Sequence, residues 1–543
     1  MRLSPSSTLR FLFDPLYGDT NRLLPRWLFL RALGFIYFSA FFSLVFQIRG
    51  LIGPSGILPA SEYLRAVTNS IGFARFWYAP TVLWLSAGNH MLTALAWVGL
   101  IASVLVTVNI FPRGMLLVCF VCFLSFVSAA SEFSGYQSDG MLLEAGFLSL
   151  FLAPSGFRPR FGTQSPPTRA AILLLLWEWF RIYFESGIAK IASGDPEWRH
   201  FTAMDEYYQN GPLPTWIGWY AQHLPHWFHA ATAFGTLALE LVLVFMLFFP
   251  RPVRTVCFFI VTPWQLGVIF TANYTFLNYL VLALGIFLID DRFLARFIPR
   301  SWREQLPSSP TSAAPVDAQA GSQIHTPAPP WQETWAHALA NVKLALTAFM
   351  FVWIFYSTTV LMLWMIWPGV PFPSSPVSML QPFRIADRYG LFARMTRGRY
   401  EIEFQGSNDG ENWIAYDFRF KPQNPYEAPR IYAPYQPRFD WNLWFASLGE
   451  WRSNPIVPRT EECLLDNDSD VLSLFASNPF PQHPPKQVRA VLWQYWFTSM
   501  QEKRDSGLWW RRQLLGDYAP TLARDSTGHI IALSWPSELP PHD

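Results

Sequence analysis

Nine long apolar runs, at roughly 27–46, 91–111, 114–130, 140–153, 170–190, 228–249, 252–271, 274–290 and 344–367, dominate the first two-thirds of the sequence and leave few folds open. A helix needs about 20 largely apolar residues to cross the hydrocarbon core of a bilayer. Most of the runs reach that length; 140–153 is short enough for a tilted or re-entrant segment. Composition agrees with a polytopic α-helical membrane protein of about nine spans. Of 543 residues, 51% are hydrophobic and only 14% charged, against about 25% charged in soluble chains, which excludes disorder as the main state. The mean hydropathy of +0.17 is a blend and decides nothing by itself. Four cysteines exclude a disulfide-built scaffold, and a formal net charge of +2 gives no basis for nucleic-acid binding.

Orientation follows from the short loops, where Lys and Arg stay cytoplasmic. With the N-terminus inside (Arg2, Arg10, Arg22, Arg26), nine spans put Arg113, then Arg158, Arg160 and Arg169, then Arg251 and Arg254, then Arg292, Arg296, Arg300 and Arg303 on the inner side. The outer loops are 131–139, the near-chargeless turn 272–273 and the acid-leaning 191–226. Only the first outer loop, with Arg49, Arg65 and Arg75, resists the pattern. Residues 1–303 then hold spans one to eight, 304–340 (rich in Pro, Ser, Ala and Gln) form a flexible cytoplasmic linker, and 341–370 hold span nine. Met1–Arg26 lacks the features of a cleavable signal peptide, so the first span is read as the anchor.

From about Arg384 the texture changes. Arg399–Phe404 and Ile414–Phe420 alternate with period two around the turn residues Asn408–Trp413, which predicts a hairpin. Trp441–Glu450 and Gln487–Gln501 read as amphipathic helices. Residues 380–543 are therefore expected to form an exported β-containing domain, a small sandwich-like sheet plus helices on the outer face, lumenal or periplasmic.

Ionisable residues inside spans are functional candidates. The fifth run carries Glu178, Arg181 and Glu185 at i, i+3 and i+7, on one helical face, and Lys190 at its outer end. Asp139 and Glu144 begin the fourth segment, so that Asp139, Glu144, Glu178, Arg181 and Glu185 form a candidate intramembrane polar network, with Glu144 able to pair with Arg181 or Lys190. Such a network either fixes helix register or carries chemistry. Lys190 is either a base, since a desolvated lysine gives up its proton readily, or a snorkelling partner of Asp195 or Glu197. Glu240 stands alone in the sixth run. His223, His226 and His229, with His200, are spaced for a metal, but Pro225 interrupts them and Trp227 and Phe228 suggest an interfacial belt; no metal and no cofactor is expected. Cys119 and Cys122 form a nominal CxxC inside an apolar run, where cysteine acts as a small hydrophobe.

Several blocks in order, Gly135-Tyr-Gln-Ser-Asp-Gly-Met-Leu-Leu-Glu-Ala-Gly-Phe147, Ser186–Trp198, Asn273-Tyr-Thr-Phe-Leu-Asn278, Leu288-Ile-Asp-Asp291, Tyr389-Gly-Leu-Phe392, Arg399–Trp413 and Tyr435–Phe445, resemble the lipase maturation factor family. The resemblance implies a membrane-bound folding factor, chaperone-like rather than enzymatic, resident in the endoplasmic reticulum in eukaryotes and in the inner membrane if bacterial. It implies an exported client, by family a dimeric secreted lipase, met by the outer domain, where Tyr435, Arg438, Asp440, Trp441, Trp444 and Phe445 offer a candidate client surface or form the domain's own core. A second resemblance covers one span and its outer loop: Arg181-Ile-Tyr-Phe-Glu-Ser-Gly-Ile-Ala-Lys190 with Trp198 looks like the membrane domain of vitamin K-dependent γ-carboxylases and related horizontally transferred transmembrane proteins. It implies an alternative, a membrane enzyme acting on a lipid or quinone, with Lys190 as base and Glu185, Arg181 and Glu178 beside it. Oligomeric state is left open.

Overall fold

A computed structural model describes residues 5–306 and 330–537. Each apolar run coincides with a helix: α1 Leu23–Ile52, α2 Asn89–Thr107, α3 Pro112–Val127, α4 Gln137–Leu152, α5 Arg169–Ala192, α6 His226–Leu241 with a following 3-10 turn to Phe248, α7 Arg251–Thr271, α8 Leu277–Gly285 with a 3-10 turn to Leu288, and α9 Pro330–Ile366. Their starts are encoded locally. Pro112 and Pro252 stand in the first turns of α3 and α7, where a missing N–H costs nothing, and the Thr168 hydroxyl accepts from Ala171 N at the head of α5. By length and composition five helices among the described residues can cross a membrane: Leu23–Ile52, Asn89–Thr107, His226–Phe248, Arg251–Thr271 and Ala338–Ile366. α3 and α8 are shorter, α4 has 16 residues, and α5 carries the charges. Most of the predicted linker, 304–340, lies outside the described residues; its end is helical from Pro330.

α5 is the hub of the helical body, packed on α4, α6, α8 and α9, while α1 runs along α2. After α9 the chain turns back, and residues 384–396 thread between helix ends as an irregular strap.

Beyond the strap lie six strands: β1 Arg399–Ser407, β2 Ile414–Ala415, β3 Gln487–Phe497, β4 Trp510–Asp517, β5 Thr521–Arg524 and β6 Ile530–Ser534. They form one antiparallel sheet in the order β2-β1-β3-β5-β6, with β4 also pairing β3. The predicted hairpin is present, with Gln405 opposite Ala415, but its second strand is confined to Ile414–Ala415 instead of the expected Ile414–Phe420. Two expectations are corrected. There is no second sheet among the described residues, because helices α10 (Arg438–Ser447) and α11 (Ile456–Leu465) pack on β1 and β3 and supply the covering layer. And Gln487–Phe497 is the central strand rather than a helix. Flanked on both edges and shifted in register against β4 at Leu492/Trp493, it buries Val488, Ala490, Val491 and Leu492 with Arg489 half-buried among them, which blurs the period-two signal. One apolar core runs without a break from the helical body into this domain.

Candidate functional site

The charged face of α5 meets α4 and the strap. Arg181, Glu178 and Glu185 are fully buried. The Arg181 guanidinium pairs with Glu144 of α4 and donates to the Asp387 carbonyl at 2.8 Å. Tyr389 closes the arrangement: its hydroxyl donates to Glu144 Oε2 at 2.7 Å, its backbone N–H to Glu185 Oε2 at 2.7 Å, and its ring lies 5.1 Å from the guanidinium. Of the two partners open to Glu144, Arg181 is the one it meets. Glu178 has no hydrogen-bond partner among the described residues.

The strap has no regular structure, so its buried backbone must be satisfied by side chains, and the helices provide them. Gly390 N donates to Gln137 Oε1 at 2.9 Å, Leu391 N to Ser186 Oγ at 3.3 Å and Met395 N to Asp195 Oδ2 at 2.7 Å. The Trp198 indole donates to the Phe392 carbonyl at 3.0 Å. Gly140 lets the strap this close, since a Cβ there would stand 2.4 Å from Asp387 Oδ2.

Lys190 finds neither Asp195 nor Glu197. Asp195 is occupied in capping the Glu197 N–H and holding Met395. Instead the Lys190 ammonium donates to Glu240 Oε1 and to the Leu391 carbonyl, both at 2.9 Å, and stands over the Trp198 ring. Glu240, without a partner in its own helix, is therefore paired across to α5. Lys190 and Glu240 sit in the wall of a cavity of about 520 Å3 between α5, α6, α7 and α8. Glu178, Arg181 and Glu185 do not line it. The four residues grouped under the enzyme reading thus divide between two places.

The C-terminal domain is seated by a third set of polar contacts. Arg438, fully buried, makes a bidentate pair with Asp139 (2.7 and 2.8 Å), donates to the Phe133 carbonyl at 2.8 Å and lies over the Phe126 ring. Asp139 therefore belongs to this contact, apart from the Glu144–Arg181 pair. Asp440 accepts from the backbone N–H groups of Phe420 and Lys421, and burial pushes its carboxyl up to about 6. Trp441 packs edge-on against Tyr136 and Tyr274, Trp444 is buried, and Tyr435 accepts from Gln47 at 3.1 Å. Of the six residues read as a client surface only Phe445, 46% exposed, faces out; the others hold the domain together or seat it on the helices. Asn273 does similar work: its amide donates to the carbonyls of Leu213 and Arg430 and accepts from the N–H groups of Tyr432 and Ala433. Arg399 donates to the carbonyls of Gln209, Gly211 and Pro212 and pairs with Glu401. Nothing in the local pattern marks Tyr389, Asn273 or Arg399 individually as a site residue; the signal that contains them is the blocks Tyr389–Phe392, Asn273–Asn278 and Arg399–Trp413.

The histidines do not converge. His223 bridges the carbonyls of Trp219 and Thr498, His226 meets Asp205, and His229 turns to the Leu224 carbonyl. Among the described residues no group of three or more His, Cys, Asp or Glu side chains is placed to hold a metal. Cys119 and Cys122 are buried free thiols.

Two family models match the chain: the lipase maturation factor transmembrane domain over residues 24–296 and the lipase maturation factor C-terminal domain over residues 385–520. Among curated proteins, lipase maturation factor 1 of Bos taurus is 31% identical, with 95% of this chain and 92% of that protein covered. Lipase maturation factor 2 of Gallus gallus is 30% identical over 92% of this chain and 81% of that protein. Lipase maturation factor 1 of Homo sapiens is 30% identical over 92% and 88%. No solved structure matches.

Proposed function

The chain belongs to the lipase maturation factor family, and from that membership as a membrane-bound maturation factor we propose that its client is an exported lipase, engaged by the C-terminal domain on the outer face of the membrane. The names of its relatives supply the client class. The observation that carries the outer-face reading is where the domain sits. Its seats are Asp139, Gln209–Pro212 and Asn273, in or beside the three connections 131–139, 191–226 and 272–273 that charge counting assigns to the outside. The inner connections gather elsewhere: Arg22 donates to the Phe287 carbonyl, Arg251 pairs with Asp290, and Asp291 accepts from Leu23 and Leu24. We read all nine apolar helices as spans, with α4 short and tilted, the N-terminus cytoplasmic and the C-terminus lumenal in an endoplasmic reticulum or periplasmic at an inner membrane. Phe445 is the member of the candidate client surface that is free to make contact.

The test pairs topology with maturation. A reporter fused after Asp543 that is active only when exported should be active; cytoplasmic activity there overturns the nine-span reading. Co-expression with a secreted lipase should raise that lipase's specific activity, and Phe445→Asp should lower the gain without lowering the amount of the factor. A lipase equally active in cells lacking the factor overturns the client assignment.

The alternative, a membrane enzyme acting on a lipid or quinone, has one observation in its favour: Lys190 lines a cavity. Loss of maturation on Lys190→Met, with the protein still folded, would favour it.

A further inference from the structure

The hairpin of α6 and α7 is splayed. Both helices pack on the 3-10 turn Leu243–Phe248 that joins them, while their backbones stand apart and the Trp264 ring of α7 reaches across to Gly235 of α6. The wedge between them is the mouth of the 520 Å3 cavity, whose back wall is α5 and α8. Its volume falls within the roughly 300–1,000 Å3 of small-molecule sites, and its walls are mostly apolar.

Two facing stripes frame the mouth. On α6 the cavity-lining residues Thr232, Thr236 and Glu240 recur every four positions, and on α7 so do Pro263, Gly267 and Thr271. Small residues at this spacing ordinarily let membrane helices close on each other. Here they border open space instead: a Cβ built on Gly267 meets nothing within 4 Å. Glycine and proline inside a helix each weaken it, and Pro263 removes the N–H that the Phe259 carbonyl would accept. Such breaks are tolerated at membrane depth where they line a cavity. Both helices are otherwise largely unburied, with Phe234, Phe259 and Phe270 turned outward, so the mouth opens sideways toward the bilayer.

Along the cavity wall the polar groups are nearly all matched. Lys190 is taken by Glu240 and Leu391, Gln265 donates to Tyr183, and Asn278 donates to Gln265. Two cavity-lining groups remain buried without a hydrogen-bond partner among the described residues, Glu240 Oε2 beside the Lys190 ammonium and the Tyr274 hydroxyl. The Lys190–Glu240 pair is neutral overall, so a charged guest would bring an uncompensated charge into the cavity, whereas a hydroxyl would satisfy the free Glu240 oxygen. We propose that this cavity binds a single-chain lipid with an uncharged, hydroxyl-bearing head, a monoacylglycerol by chemistry, admitted between α6 and α7 with its hydroxyl on Glu240.

The experiment uses the full chain in detergent micelles with a photoreactive monoacylglycerol as probe. Labelling should saturate, fall on peptides of α6 and α7, and be competed by unlabelled monoacylglycerol but not by a fatty acid of equal chain length. Gly267→Trp, which grows a side chain into the mouth, should reduce saturable labelling at least tenfold, while Gly267→Ala should retain it, with unfolding temperatures within a few degrees of the parent. Equal competition by the fatty acid overturns the head-group assignment. Labelling that does not saturate, or that Gly267→Trp leaves unchanged, overturns the site. Since labelling reads occupancy alone, its failure leaves lipase maturation untouched, and the two proposals fall separately.

Discussion

Replacing Arg438 by methionine tests how the C-terminal domain is held. The guanidinium makes two hydrogen bonds to Asp139 and one to Phe133, all at 2.7–2.8 Å, and neither charged partner is exposed. Removing one member of a buried pair leaves the other charged and unmatched, which costs about 3–5 kcal/mol. At about 1.4 kcal/mol per factor of ten, the ratio of seated to unseated domain should fall by roughly 10² to 4 × 10³. Native-state proteolysis in micelles reads that ratio, because cleavage of a transiently opened segment tracks its population when closing is fast. Cleavage near the strap should accelerate by the same factor. The companion variant Arg438→Met/Asp139→Leu removes both charges and should recover most of the loss, since an apolar replacement of the whole pair is often neutral. Acceleration of less than about tenfold in the single variant, or a double variant as labile as the single, would refute the claim that this pair seats the domain.

Three further outcomes follow from the same contacts. The Asp440 carboxyl stands near 6 in the folded protein against about 3.9 when unfolded, so the folded state keeps a proton in that interval and stability falls as pH rises from about 4 to 6, by about 3 kcal/mol; Asp440→Asn, whose side-chain oxygen still accepts from Phe420 and Lys421, should flatten that slope and stabilise the protein at pH 7.5, and unfolding curves with the same pH slope for both proteins would contradict this. Tyr389→Phe deletes the hydroxyl bound to Glu144 and should cost about 1–3 kcal/mol, seen as faster cleavage within 384–396; unchanged cleavage would mean the strap is held elsewhere. Asn273→Ala strips partners from the buried backbone at Tyr432 and Ala433 and should expose 425–437 to amide exchange while α8 stays protected; uniform protection would show those groups are satisfied another way.

What was legible in the sequence was whatever repeats locally. Apolar runs marked the helices, alternation around Asn408–Trp413 marked the hairpin, and amphipathic spacing over Trp441–Glu450 marked a helix that in the fold runs three residues earlier, Arg438–Ser447. Strand β3 escaped because its buried residues, Val488, Ala490, Val491, Leu492, Tyr495 and Phe497, do not keep to alternate positions, and Arg489 and Gln494 stand half-buried among them. The charged residues of the membrane body stood out by their cost, yet their partners did not, for pairing is decided by neighbours far along the chain. Arg181 meets Glu144 across 37 positions, Lys190 meets Glu240 across 50, and Asp139 meets Arg438 across 299. The strap was the least legible element. Its sequence is neither apolar nor periodic, and its conformation is dictated by side chains on helices it merely crosses.

The strap also sets an order of events during synthesis. Arg181 leaves the ribosome 206 residues before Asp387, which receives one of its hydrogen bonds, a delay of about 10 to 40 s at about 5–20 residues per second. Throughout that interval α4 and α5 are complete in sequence but lack the backbone and the tyrosine that finish their polar interior, and Asp139 waits longer still for Arg438. The polar interior of the helical body is therefore not completed span by span. It stays an open assembly until the polypeptide's last third is translated and returns to close it, so a nascent chain arrested before residue 384 should be recognised by quality control as unfinished even though every span is already present.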